Sequence, residues 1–76
     1  MSPKLPITTP AAIIKALQRG GFYVHHQTGS HIYLKHPNML NKRVTVPFHR
    51  RDLSKGTIKS ILKQAGLTVG QLKELM

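Results

Sequence analysis

Apolar positions along the 76-residue chain follow two different periods. Ala12, Ile13, Ala16 and Leu17 recur at helical spacing. Thr9 suits the N-cap before them, and Pro10 suits the first helical position, where its missing N–H costs nothing. Gly20-Gly21 stops the pattern, so a first helix is expected over about residues 10–19, with Lys15 and Arg19 at its polar side. The period then shortens to two. Phe22 to Gln27 reads as a strand, Thr28-Gly29 as a turn and Ser30 to His36 as a second strand. Pro37 to Asn41 forms a loop, and Arg43 to Val46 is a third strand closed by Pro47. Phe48 to Ser54 has neither period. Helical spacing returns at Ile58, Ile61, Leu62 and Ala65, between a Ser54 N-cap and a C-terminal Gly66. Thr68 opens a short last helix with Val69, Leu72 and Leu75 or Met76 as its apolar positions.

This order predicts an α+β fold: a helix, a three-stranded antiparallel sheet, a second helix and a short third one. One domain is expected over 1–76, with 1–8 as a flexible arm, 9–67 as the core and 68–76 as the last helix. Alternation puts Ile32, Leu34, Val44 and Val46 on one face of the sheet, where the helices cover them. The other face is left open and carries His31, Tyr33, Lys35, Arg43 and Thr45. If the first strand buries Phe22 and Val24, that face gains Tyr23 and His25, and His26 turns inward.

Charge gives the open face a meaning. Twelve Lys and Arg residues stand against two carboxylates, a formal charge of +10. Such an excess repels itself in the compact state and attracts polyanions, nucleic acid first and an anionic membrane surface or heparin-like chain second. A basic face bearing Tyr33 and histidines suits phosphates and unstacked bases. Arg50, Arg51 and Lys55 cluster at the start of the second helix, whose free N–H groups also favour phosphate. The Lys55, Lys59 and Lys63 stripe reads as a solvated face. There is no Cys, hence no disulfide and no thiolate metal site. Asp52 and Glu74 are the only carboxylates, too few and too scattered to hold the cations of a two-metal nuclease. Any phosphodiester chemistry is therefore expected to need no metal and no cofactor. Histidine is the remaining acid–base type, at positions 25, 26, 31, 36 and 49. The first residues lack the apolar stretch of a signal peptide, and no apolar run is long enough to span a bilayer, so a cytoplasmic location is expected.

Three blocks carry a resemblance to a known family. Gly29-Ser30-His31 resembles the G-S-H signature of HicA toxins. Val44-Thr45-Val46-Pro47-Phe48-His49 is similar to the family's strand, proline and histidine segment. Gly56 to Gly66 looks like its "GTL..ILKQAG" helix. The likeness covers about residues 10 to 67. It implies a fold similar to the double-stranded-RNA-binding domain, cleavage of mRNA with growth arrest, and neutralisation by a HicB antitoxin. It also implies that His31 is the catalytic histidine and Gly29 the family's glycine.

An RNase of this kind uses the 2′-hydroxyl of its substrate as nucleophile. An imidazole titrating near about 6.5 suits the removal of that proton, and Lys or Arg suits the charge on the phosphorane. His31 is accordingly expected as the base, with Lys35 or Arg43 nearby. The acid for the leaving 5′-oxygen is left open between His25 and water. Gly29 serves the turn and lets a phosphate approach the backbone. Ser30, Tyr33, Lys35, Arg43, His49, Arg50, Arg51 and Lys55 are the expected RNA-binding residues, although His49 has an alternative role in stabilising its loop. His26 and His36 read as structural. Two other functions remain open: a non-catalytic RNA-binding module, and a basic face that binds an acidic protein partner.

Overall fold

The computed structural model of the chain describes residues 4–76. The first three residues of the expected arm lie outside the described residues. Six elements follow in order: α1 (Pro10–Arg19), β1 (Tyr23–Thr28), β2 (His31–Lys35), β3 (Arg43–Pro47), α2 (Lys55–Ala65) and α3 (Val69–Leu75). This is the α+β arrangement of the double-stranded-RNA-binding type, extended by a third helix. All three helices are capped by hydroxyl side chains. Thr9 accepts from the Ala12 N–H, Ser54 from that of Thr57 and Thr68 from that of Gln71. Thr68 and Gln71 complete a reciprocal capping box.

The sheet is antiparallel in the order β1-β2-β3. Its helix-facing side contributes Ile32, Leu34, Val44 and Val46, which pack with Ile13, Leu17, Ile58 and Ile61 from the helices. The short α3 belongs to this core as well. Leu72 is fully buried, and the Arg19 guanidinium donates to the Leu75 carbonyl at 3.0 Å, tying the end of α3 to α1. Gln64 joins α2 to the sheet: its side-chain oxygen accepts the Thr45 N–H at 2.9 Å. Strand β3 is an edge strand, so this contact occupies a donor that would otherwise face outward.

Several local expectations need correction. The two-residue loop of the first hairpin is Gly29-Ser30, because Thr28 pairs with His31. Ser30 is therefore a turn residue. Gly29 has φ +52° and Ser30 has no positive φ, the pattern of a type II′ hairpin with glycine at its first position. Strand β1 does not alternate. A bulge lies between Val24 and His26, so Val24 pairs with Leu34 but His26 pairs with Tyr33. The extra residue reverses the phase, turns His26 outward and puts Gln27 on the helix-facing side. Val24 itself stays 41% exposed, since the helices cover mainly β2 and β3. At the inner end of the arm, Thr8 is buried and Leu5 packs against the core.

The segment between β3 and α2 is irregular, as its sequence suggests, but it is held at both ends. The Phe48 N–H donates to the Ser30 carbonyl at the hairpin tip. The Leu53 N–H donates to the Thr8 carbonyl at 2.8 Å, and the Leu53 side chain is buried. Because Thr9 caps α1 and Ser54 caps α2, both helices begin beside that second hydrogen bond.

The burial of Leu72 makes α3 a structural part of the domain. Leu72→Ala is expected to lower stability by about 3 kcal/mol, the usual size for a fully buried leucine. Urea denaturation followed by circular dichroism checks this, and a change of under about 1 kcal/mol would show α3 to be dispensable.

Candidate nucleic-acid interface

The open face of the sheet is assembled by strand register. His31, Tyr33 and Lys35 alternate outward from β2. Across from them on β3 stand Pro47, Thr45 and Arg43, and on β1 stand Thr28, His26 and Tyr23. Tyr33, Lys35 and Thr45 are half-buried, whereas His31 and Arg43 are exposed. His26, Tyr33, Lys35, Arg43 and Thr45 line a shallow depression of about 370 Å³ on this face.

Inside that depression the His26 ring lies flat on Tyr33, with centroids 4.4 Å apart and planes within 10°. His25 meets His26 edge-on, and their Nδ1 atoms are 2.7 Å apart. One Nδ1 must therefore carry a proton and the other accept it. The Lys35 ammonium, loss of surrounding water and the His26 ring all push the His25 imidazole below its ordinary value. The bulge thus gives the open face a histidine that alternation assigns to the interior. A bulge leaves no mark in the apolar pattern, so the sequence carries no signal for the outward turn of His26.

The remaining predicted residues gather at the hairpin end of the sheet. Gly29 and Ser30 form the tip, and His31 is the first strand residue after it. A Cβ added to Gly29 would meet nothing within 4 Å, so the space above the turn is open and only the positive φ favours glycine there. The Phe48 hydrogen bond to Ser30 joins the linker to this tip; His49, Arg50 and Arg51 follow along that linker, and Lys55 opens α2 at its far end. All four are exposed. The His49 Nδ1 accepts the Arg51 N–H at 3.1 Å, so the proton of the neutral ring sits on Nε2. Neither α1 nor α2 has an acidic residue in its first turn, so the positive ends of both helix dipoles add to the cations here without compensation.

The predicted site residues therefore form two groups that meet at His31. Tyr33, Lys35 and Arg43 run away from it along the sheet. Gly29 and Ser30 precede it in the turn, and His49, Arg50, Arg51 and Lys55 lie along the linker that is bonded to that turn. His25 falls outside the second group. Thr28 is the β1 residue opposite His31, and His25 lies further along, within reach of Lys35. His36 is buried at the other end of β2, where its ring packs edge-on against Phe22 and its Nδ1 accepts the Asn38 N–H. It also stands over Gly21, where a Cβ would lie 2.6 Å from its Nε2; no other residue fits that position without moving the ring. Among the described residues, no three His, Asp or Glu side chains converge on a point that could hold a metal ion. No helix among the described residues is long and apolar enough to cross a membrane.

Fold and site together define a small basic α+β domain of the double-stranded-RNA-binding type, with a histidine at the tip of its first hairpin and cations around it. The model of the HicA toxin of bacterial toxin–antitoxin systems matches residues 11–67 of the chain. The protein belongs to the HicA toxin family and is thus the toxin of such a system. No curated protein matches it by sequence.

The electrostatic influence of Lys35 on His25 is testable by titration. With its imidazole depressed, folded His25 stays neutral at a pH where the unfolded chain takes up a proton. Stability is therefore expected to fall as pH drops below about 6.5, until the folded His25 itself titrates. In a histidine NMR titration, Lys35→Met should move the His25 midpoint upward, towards its ordinary value. An unchanged midpoint would show that Lys35 is not the main cause.

Proposed function

We propose that this toxin is a metal-independent endoribonuclease acting on mRNA in the cytoplasm, with His31 as its general base. The observation that carries the reading is the position of His31. A type II′ turn holds it exposed at the one end of the fold where the linker cations and two helix N-termini meet. A phosphate there faces N–H groups and Arg50, Arg51 and Lys55, all suited to the extra negative charge of a phosphorane.

In the proposed step His31 takes the proton from the 2′-hydroxyl. The 2′-oxygen attacks the adjacent phosphorus, and the bond from phosphorus to the 5′-oxygen breaks. The products are a 2′,3′-cyclic phosphate and a 5′-hydroxyl end once the leaving oxygen receives a proton. Of the histidines near this end, His49 suits the role of acid better than His25. It follows Pro47, the partner of His31, by two residues, and its Nε2 makes no hydrogen bond among the described residues, so the imidazolium form would donate its proton from that atom. Tyr33, Lys35 and Arg43 would hold the flanking RNA by stacking and charge.

The same face accounts for control of the toxin. A HicB-type antitoxin that lays acidic groups over His31 and the linker arginines would exclude RNA by bulk and by charge together. The +10 charge favours such a complex over the isolated toxin.

The test is incubation of the purified chain with single-stranded RNA in EDTA. The wild type is expected to cleave, and His31→Ala to lose at least about 100-fold in rate, the usual contribution of a general base. Equal rates for the two would overturn the assignment of His31. Binding without cleavage by the wild type would make the protein a non-catalytic RNA-binding module.

A further inference from the structure

Beside the hairpin tip lies a second depression, of about 480 Å³, which shares His49 and Arg50 with the proposed chemistry but whose Phe48 floor that chemistry does not use. Thr9, Ala11, Phe48, His49 and Arg50 line it. Its volume falls in the range of small-molecule sites. Phe48 is 42% exposed, whereas Phe22, the other phenylalanine, is buried. An aromatic ring left at the surface of so basic a chain is not serving the core. It is also not loose: the Phe48 N–H is bonded to the Ser30 carbonyl, so the backbone that carries the ring is fixed to the turn that carries His31.

The rim supplies polar groups of one kind. The Arg50 guanidinium is cationic, and the His49 Nε2–H is a donor because Nδ1 is already engaged. In the first turn of α1, Pro10 has no N–H, the Ala12 N–H goes to the Thr9 side chain and the Ile13 N–H to the Thr9 carbonyl. That leaves the Ala11 N–H at the depression without an intrahelical partner. An apolar aromatic floor with donors and a cation at its edge suits a flat, acceptor-rich ring attached to a phosphate, which is the chemistry of a nucleotide.

We infer that Phe48 is the floor of a nucleobase subsite. The base of the nucleotide on the leaving-group side of the scissile phosphate stacks on its ring, and Arg50 and the Ala11 N–H hold the adjoining phosphate. The inference rests on the ribonuclease reading for the direction of the strand, not for the stacking itself. It makes Phe48 a positioning residue: a stacked base fixes where the flanking phosphate falls relative to His31. Stacking accepts any base, so selectivity comes from the groups at the rim.

The test uses His31→Ala, so that the RNA stays intact whether or not the wild type cleaves it. The probe is a uridine-rich tetranucleotide carrying one adenine. With only two phenylalanines in the chain and Phe22 buried, the Phe48 ring resonances are readily assigned. They are expected to shift upfield on saturation with the probe. Replacing Phe48 by Ala in the same background should weaken binding about tenfold by fluorescence anisotropy, the size of one base stack. Phe48→Trp should restore it. Circular dichroism confirms that both variants are folded. Unmoved Phe48 resonances at saturation, unchanged affinity in Phe48→Ala, or shifts confined to Tyr33 would each overturn the inference. Loss of catalysis by the wild type would not, because stacking is read without it.

Discussion

Two backbone hydrogen bonds hold the segment between β3 and α2, one from Phe48 to the hairpin tip at Ser30 and one from Leu53 to Thr8. Between them the chain has no regular structure, yet it carries His49, Arg50 and Arg51. Each bond closes a long stretch of sequence, and Leu53 adds a buried side chain at the far end. Through this pair the Gly29-Ser30 turn and the N-termini of α1 and α2 come to share one end of the molecule. Without it, His31 would stand on a hairpin of its own, with the linker cations free to face elsewhere.

The electrostatics of that end follow from the arrangement. Carboxylates in the first turn of a helix offset its dipole. Here neither α1 nor α2 has one there, and the chain has only Asp52 and Glu74 to offer. A domain of this size with a +10 charge gives up stability to self-repulsion. A polyanion relieves that repulsion, whether it is an RNA backbone or the acidic surface of an antitoxin. Toxin activity and its inhibition would then draw on the same uncompensated charge.

Much of the fold is legible in the residues. Ile32, Leu34, Val44 and Val46 alternate cleanly, and the Thr9, Ser54 and Thr68 caps mark the helix starts, because each of these signals is local. The misreadings share a different cause. His26 faces outward because a bulge adds one residue to β1, and apolar alternation cannot register an insertion that burial does not punish: β1 is exposed throughout. Thr8 belongs to the core because its carbonyl meets a residue 45 positions away in the chain, which no local pattern encodes. At the site, His31, Gly29 and the cations were visible as residue types in a recognisable order. Their division into a strip along the sheet and a cluster at its end became visible only with the register and the linker contacts. Phe48 carried no periodic signal, lying in the stretch where both periods lapse.

The proposed chemistry depends on His31 activating the 2′-hydroxyl of RNA at this end of the fold. The most direct measurement replaces that hydroxyl by hydrogen at the single nucleotide 5′ to a mapped cleavage site and repeats the reaction in EDTA. Cleavage at that bond should cease while neighbouring sites are still cut, and the unmodified RNA should yield 2′,3′-cyclic phosphate ends. Undiminished cleavage of the 2′-deoxy substrate would contradict the account, because the nucleophile would then have to come from somewhere other than the substrate.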